Sequence, residues 1–105
     1  MYVVYVETTD NSPDGSVWEA WKRKEGTMMK ETPGWIKRIL LRSQEDPKRF
    51  HYVTFWETAE QARAFSETEA FRSAAAALGV TQQVHRVRFD ECDLILDEAS
   101  GARTA

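Results

Sequence analysis

The chain has 105 residues, 42% of them hydrophobic, which predicts one folded domain with a single core. Its net charge is −3 with basic residues interspersed among acids, so no basic patch indicates nucleic-acid binding, and no apolar run approaches the roughly 18 residues that would span a membrane. Cys92 is the single cysteine, so no internal disulfide can form, and the apolar N-terminus lacks the basic start of a signal peptide, which together predict a cytoplasmic protein.

The first half of the chain predicts a strand, a helix and a second strand. "YVVYVETT" is dense in β-branched and aromatic residues, which is typical of a strand. After the turn cluster "DNSPDG", Ser16 and Glu19 have the spacing of a capping box. We expect a helix from about Val17 to Glu31, ended by Pro33 and Gly34, and then a strand in "WIKRILLRS". The apolar side of this helix comprises Val17, Trp18, Trp21, Met28 and Met29.

The second half repeats the order of strand, helix and strand. "FHYVTFWE" predicts a third strand, which should form a hairpin with the second across the polar loop "QEDPKR". Capping boxes at Thr58–Gln61 and Ser66–Glu69 predict a helix that breaks near Phe65 and restarts. Gly79 is well placed to end it. "QVHRVRF" and "DLILD" predict a fourth strand, with a bend near Asp90–Glu91.

The order β-α-β-β-α-β predicts an α+β, ferredoxin-like fold, in which a four-stranded antiparallel sheet carries its helices on one face. Residues 1–98 form this single domain, and residues 99–105 form a small, polar, flexible tail. The first and third strands are apolar on both faces, although the helices can cover only one. We therefore expect a homodimer packed sheet to sheet. The alternative is a monomer with scattered aromatic residues on its surface.

Three stretches of this pattern resemble the antibiotic biosynthesis monooxygenase family of dimeric α/β-barrel proteins. They are "ETPGWIKRIL", "YVTFWETAEQARAF" and "SETEAFRSAAAAL", and the likeness spans about residues 2–96. The resemblance implies the dimeric α/β-barrel form of the fold. The family includes oxygenases that convert polycyclic phenols to quinones without metal or flavin, as well as haem-degrading enzymes and quinol oxygenases.

The resemblance implies roles for two residues of the third strand. In the cofactor-free oxygenases a Trp at this strand end lines the pocket, and an Asn four residues earlier assists catalysis. Trp56 matches the first position, and Tyr52 replaces the Asn. The two share a strand face, and a Tyr can donate a hydrogen bond to a developing oxyanion. The alternative is that both are large core residues between sheet and helix.

Glu25 lies within the apolar side of the first predicted helix. A buried carboxylate there would have a raised pKa and could act as a base toward a phenol or an activated C–H group. The alternative is that Gly26 loosens the helix and Glu25 faces water.

The histidines and the haem-degrading relatives bear on cofactors. His51 lies on the opposite strand face from Trp56, and His85 either lines the pocket or is structural. No residues have metal-ligand spacing, so we expect no metal. The haem-degrading members carry a Trp and a proximal His around the helix restart, where this chain has Phe65 and Ala75. The resemblance therefore argues against haem, and we expect no cofactor.

These residues predict a cofactor-independent monooxygenase for a small aromatic substrate of the phenolic, quinol or polyketide type. Tyr52 or Glu25 would handle the proton, and Trp56 would position the substrate. The expected substrate-binding residues are Trp18, Trp21, Met28, Phe65, Phe71 and His85. One alternative is a non-catalytic dimeric ligand-binding or accessory protein. Another is a polyketide cyclase or isomerase of the same fold, which would need the base but no O2.

Overall fold

The computed structural model describes residues 1–78 and 82–99. Within these ranges the strands and helices are β1 (Tyr2–Asp10), α1 (Val17–Met29), β2 (Trp35–Arg42), β3 (Arg49–Trp56), α2 (Ala59–Ser66), α3 (Glu69–Leu78) and β4 (Gln82–Glu91). These strands form one antiparallel sheet in the order β2-β3-β1-β4. The predicted ferredoxin-like fold is confirmed. The predicted helix end at Gly79 and residues 100–105 of the predicted tail lie outside the described residues.

The side chains of β3 alternate between the two faces of the sheet. Phe50, Tyr52, Thr54 and Trp56 are buried, whereas the residues between them are only half-buried. The buried face meets the helices, and the core is formed by Trp18, Met29, Phe50, Tyr52, Trp56 and Phe65. Tyr52 and Trp56 therefore share the inward face, as their spacing predicts.

The start of α1 is held by a residue of β1 rather than by the predicted capping box. Ser16 makes no side-chain capping hydrogen bond. Instead the fully buried Asp10 carboxylate accepts hydrogen bonds from the backbone N–H of Trp18 at 2.7 Å and of Ser12 at 2.9 Å. Because Asp10 is the last residue of β1, its side chain links the start of α1 to the end of this central strand. No local sequence spacing predicts this contact.

The predicted break between α2 and α3 is confirmed, but one capping residue is different. Thr58 Oγ1 accepts a hydrogen bond from the backbone N–H of Gln61 at 3.2 Å and caps α2 as predicted. At the restart, Thr68 Oγ1 accepts from the backbone N–H of Phe71 at 3.2 Å, whereas the Ser66 hydroxyl donates backwards to Arg63. The prediction of Ser66 as the cap was wrong, because Ser66 is still the last residue of α2.

The fourth strand is shorter than predicted. It ends at Glu91, and the "DLILD" segment, residues 93–97, forms no strand. Leu94, Ile95 and Leu96 in this segment are exposed. Their composition is typical of a strand, but the pairing between β1 and β4 stops here: Tyr2 lies opposite Glu91, and Met1 exchanges the last backbone hydrogen bonds with Cys92. In the described part of the chain, no helix is long and apolar enough to cross a membrane.

The face of the sheet opposite the helices carries apolar side chains that remain accessible. Leu41 is 53% exposed and Ile39 is 38% exposed, and Val3, Val53 and Phe55 on the same face are half-buried. This is the face that the sequence predicts to pack against a second copy.

Replacing Asp10 with Ala should destabilise the fold through the start of α1. Burial acts to raise the pKa of Asp10, but hydrogen bonds from Trp18 and Ser12 outweigh it and hold the pKa below its usual value. Leaving these buried N–H groups unpaired should lower the free energy of unfolding by about 1–3 kcal/mol in urea titrations at neutral pH.

The pH dependence of the stability lost in Asp10→Ala shows whether the Asp10 charge is responsible. A lowered folded-state pKa stabilises the fold above the unfolded value of about 3.9, and the benefit disappears as the pH falls through the folded-state pKa. The difference between wild type and Asp10→Ala should therefore narrow in acid. Asp93→Ala, at an exposed position outside the strands and helices, is the matched control and should change stability by less than about 0.5 kcal/mol. A difference independent of pH would contradict this role of the Asp10 charge.

The accessible sheet face predicts a homodimer in solution, because exposed apolar side chains are stabilised by burial. Light scattering at micromolar concentration should give twice the 12.1 kDa chain mass. Ile39→Glu should shift the mass toward the monomer, and the control Ala76→Glu, on the exposed side of α3, should not. A wild-type mass equal to one chain would contradict sheet-to-sheet packing.

Candidate functional site

A cavity of about 160 Å³ lies between the sheet and the helices. Six of its fifteen lining residues are aromatic. The ring centroids of Trp56 and Phe65 are 5.7 Å apart, and those of Phe65 and Phe71 are 5.4 Å apart. Tyr2 and Phe89, whose rings stack at 6.3 Å, line the side formed by β1 and β4. This wall suits a flat apolar ligand.

One end of the cavity is polar and charged. Glu25, from α1, is fully buried. Its Oε1 accepts a hydrogen bond from the Tyr52 hydroxyl at 2.7 Å, and Lys22 Nζ donates to Oε1 at 3.2 Å and to Oε2 at 3.1 Å. The three side chains, all of which line the cavity, are called the polar cluster below. Glu25 thus combines a negative charge with an apolar enclosure and with donors that stabilise it.

The cluster shifts the ionisation of its members. Burial raises the pKa of Tyr52, and the adjacent Glu25 carboxylate raises it further, so the phenol stays a neutral hydrogen-bond donor. Burial lowers the pKa of Lys22, and pairing with Glu25 opposes that shift. Glu25 is therefore the neighbour that favours the charged form of Lys22.

Gly26 makes room for Arg38, which lies over α1. A methyl group at Gly26 would overlap the Arg38 guanidinium. Arg38 donates a hydrogen bond to the backbone carbonyl of Lys22, and its Nη1 lies 3.9 Å from Glu25 Oε1. The alternative in which Gly26 lets Glu25 face water was wrong, because Gly26 is buried inside an intact helix.

Only some of the residues predicted to form the site line the cavity. Glu25, Tyr52, Trp56, Phe65 and Phe71 line it, whereas Trp18, Trp21 and Met28 do not. The inward side of α1 runs through Trp18, Lys22, Glu25 and Met29, so Trp21 and Met28 lie about 70–90° away around the helix.

Trp18 points inward but packs beside the cavity, with its ring centroid 5.2 Å from that of Phe50 and 5.7 Å from that of Tyr52. The expectation that Trp18, Trp21 and Met28 line the cavity is therefore corrected, because the cavity wall includes none of the three.

Trp56 is both a core residue and a lining residue. It is 2% exposed, and its indole N–H donates to Thr54 Oγ1 at 3.0 Å. The hydrogen bond fixes the ring, whose remaining surface faces the cavity. Its two predicted roles, in packing and in ligand contact, are compatible.

Both histidines lie away from the cavity. His51 Nδ1 is 2.8 Å from the Tyr5 hydroxyl, on the face of the sheet opposite Tyr52. His85 occupies a β-bulge in β4 where the register with β1 shifts, and its Nε2 is 2.7 Å from Thr9 Oγ1. The bulge reverses the side-chain alternation, so His85 does not line the cavity as expected.

Lys22 is the member of the polar cluster that sequence reasoning missed. A lysine within a helix normally faces water, and its position three residues before Glu25 was the available sign that the two could pair. Among the described residues, no three His, Cys, Asp or Glu side chains are grouped to hold a metal ion. The absence of a metal stays a prediction.

The comparison with protein families decides the classification. The model described as "Antibiotic biosynthesis monooxygenase" matches residues 14–77. The chain belongs to this family. The matched region includes α1, β3 and most of α3, and therefore the whole polar cluster. No curated protein matches the chain.

Solved structures show the same fold at low identity. SnoaB, a cofactor-independent oxygenase from Streptomyces nogalater, is 16% identical, covers 92% of this chain and 98% of its own, and has a TM-score of 0.76. Rv0793 from Mycobacterium tuberculosis is 17% identical, with coverage of 95% and 100% and a TM-score of 0.71. A Nitrosomonas europaea protein assigned to the family is 20% identical, with coverage of 86% and 94% and a TM-score of 0.72.

Haem should not bind specifically to this member of the family. Phe65 lines the cavity without a metal-binding atom, Ala75 on α3 is exposed, and both histidines lie outside the cavity. A haem titration should give no saturable Soret shift. A one-to-one shift that disappears in His51→Ala or His85→Ala, but not in the exposed control Arg72→Ala, would contradict this prediction.

Proposed function

We propose that this protein is a cofactor-independent monooxygenase that uses O2 to oxidise a small aromatic substrate with an ionisable hydroxyl, such as a phenol or quinol. The observation that carries the proposal is the buried Glu25 carboxylate at the end of a cavity lined by aromatic and aliphatic side chains. A buried base beside an apolar binding surface suits the removal of a proton from a bound phenol. Family membership and the described activity of SnoaB support the same reaction class.

The cavity volume sets the size of the substrate. An apolar cavity of about 150 Å³ is large enough to bind benzene. The enclosed volume of about 160 Å³ therefore accommodates one aromatic ring. A second ring would extend toward Tyr2 and toward Phe89, which is 61% exposed. Stacking against Trp56 and Phe65 would orient the ring.

The reaction needs no reductant beyond the substrate. Glu25 accepts the hydroxyl proton, and the resulting phenolate transfers one electron to O2. The two radicals combine at an unsubstituted ring carbon to give a peroxide anion, which takes the proton back from Glu25. The resulting hydroperoxide loses water to form the carbonyl. Overall a phenol and O2 give a quinone and water, so one oxygen atom enters the product and the other leaves as water. The aromatic wall excludes bulk water from the anion, and Tyr52 holds the carboxylate in place.

One observation favours a second function, that of a non-catalytic ligand-binding protein. Both oxygens of Glu25 already accept hydrogen bonds, from Tyr52 and Lys22. Oε1 accepts two of these hydrogen bonds and Oε2 accepts one, so a substrate hydroxyl has only the remaining lone pair of Oε2 to approach. A cyclisation or isomerisation would use the same base without O2.

Oxygen uptake separates these functions. The purified protein, treated with chelator and without flavin, should consume O2 with at least one member of a panel of phenols, hydroxynaphthalenes, anthrones and quinols. Glu25→Gln and Tyr52→Phe should lower kcat by about 10²–10⁴ while retaining binding, measured by indole fluorescence. The amide introduced by Glu25→Gln still accepts hydrogen bonds from the cluster, and circular dichroism checks that both variants are folded.

The exposed Glu31→Gln is the matched control and should retain full kcat. Trp56→Phe should weaken binding, because it removes stacking surface. Binding without O2 uptake across the panel would favour the ligand-binding function. Full activity in both Glu25→Gln and Tyr52→Phe would contradict the proposed proton transfer.

A further inference from the structure

Lys22 is a buried cation that the reaction described above does not use. Its side chain lines the cavity and is 10% exposed. Its Nζ lies 4.2 Å from the ring centroid of Tyr52 and 5.1 Å from that of Trp18, so aromatic faces enclose the part of the ammonium that Glu25 does not contact. Of the three hydrogens of an ammonium, two are directed to the oxygens of Glu25.

The charges around the cavity do not cancel. The charged and titratable groups that face Lys22 are Glu25 on its own helix, Arg38 on β2 and Tyr52 on β3. Tyr52 is neutral, so two cations face one carboxylate. Arg63, from α2, also lines the cavity, but its side chain is mostly exposed and pairs with Glu60 at 3.7 Å, so the imbalance lies in the buried group. Glu25 is the only carboxylate in the described lining. A monoanion therefore improves the charge balance of the site, and a neutral ligand does not.

We propose that Lys22 is the counter-ion of the bound substrate, so that the site selects aromatic compounds with an ionisable hydroxyl over neutral aromatics of the same shape. The inference rests on the proposed function for the position of that hydroxyl, next to Glu25. When Glu25 takes the hydroxyl proton, Lys22 transfers a hydrogen bond from the carboxylate to the new oxyanion.

This transfer releases Glu25 Oε2 from the ion pair as that oxygen takes the proton. The proton moves from the substrate oxygen to Glu25, the O–H bond breaks, and the negative charge passes from the carboxylate to the phenolate. The total charge of the site is unchanged, and the buried ammonium has an anionic partner before and after the transfer. A lysine suits this role because its flexible stem and rotatable donors can change partners, unlike a planar guanidinium.

The test uses a phenol that reports its own ionisation and is not oxidised. In para-nitrophenol the electron-withdrawing nitro group opposes electron transfer from the phenolate to O2, and the phenolate is distinguished by its visible absorption. Nitrobenzene is the neutral compound of nearly the same shape. In the wild type, the pKa of bound para-nitrophenol should fall by about 1–3 units, as expected for an acid beside an opposite charge. At a pH above that pKa, para-nitrophenol should bind at least about tenfold more tightly than nitrobenzene.

The variants separate the charge of Lys22 from the stability of the fold. Lys22→Met leaves Glu25 buried without its partner, so the double variant Lys22→Met/Glu25→Gln removes both charges together. It is compared with Glu25→Gln, which retains Lys22. Wild type, Glu25→Gln and the exposed control Lys24→Met should lower the pKa of the bound phenol. The double variant should bind para-nitrophenol with its ordinary pKa and lose the preference over nitrobenzene.

An equal pKa shift in Glu25→Gln and in the double variant would overturn the assignment of Lys22, as would a wild type that binds the two probes equally. The assay needs no turnover, which separates it from the proposed function. A pKa shift that depends on Lys22, with no O2 uptake on any phenol, would overturn the oxygenase and leave the counter-ion in place. Oxygen uptake with an unshifted nitrophenol would overturn the counter-ion alone.

Discussion

The ion pair between Lys22 and Glu25, joined to the sheet by the Tyr52 hydroxyl, is the interaction on which the rest of the site depends. Removing a charge from water costs several kcal/mol even after relaxation, and here both ions leave water together. The cost is offset only while the ammonium reaches both carboxylate oxygens and the phenol donates to one of them. This requirement fixes the rotation of α1 against β3, and therefore selects which helix side chains enter the cavity.

A buried ion pair adds little to the free energy of unfolding, because apolar residues of similar volume commonly stabilise a fold as well or better. Its position is informative for another reason: it forms a buried charged end of a cavity that is otherwise lined mainly by aromatic and aliphatic side chains. Arg38 supplements the pair by crossing α1 at Gly26, where the missing side chain leaves room. The arrangement holds a fully buried carboxylate beside the apolar surface against which a substrate ring would stack. These are the conditions under which removing a proton from a phenol produces an electron-rich anion that water does not quench.

The parts of the structure that follow from local pattern could be predicted from the sequence. Strand alternation placed Tyr52 on the inward face, and helical periodicity placed Glu25 on the inward side of α1. The features that depend on tertiary contacts could not be predicted from the sequence. Asp10 caps a helix that begins seven residues later, and the bulge that turns His85 outward depends on the register with β1. Lys22 was missed because burial of a lysine depends on a partner whose own burial was uncertain.

A double-mutant cycle on Lys22 and Glu25 tests the central claim most directly, since it measures the buried pair without any ligand. Urea unfolding should show that Lys22→Met alone lowers the free energy of unfolding by about 3–5 kcal/mol, because the carboxylate stays buried without its partner. Combined with Glu25→Gln, the loss should fall short of the sum of the single losses by about 1–3 kcal/mol. Losses that add to within about 0.5 kcal/mol would show that the two residues do not interact, and would contradict the charged cluster at the end of the cavity.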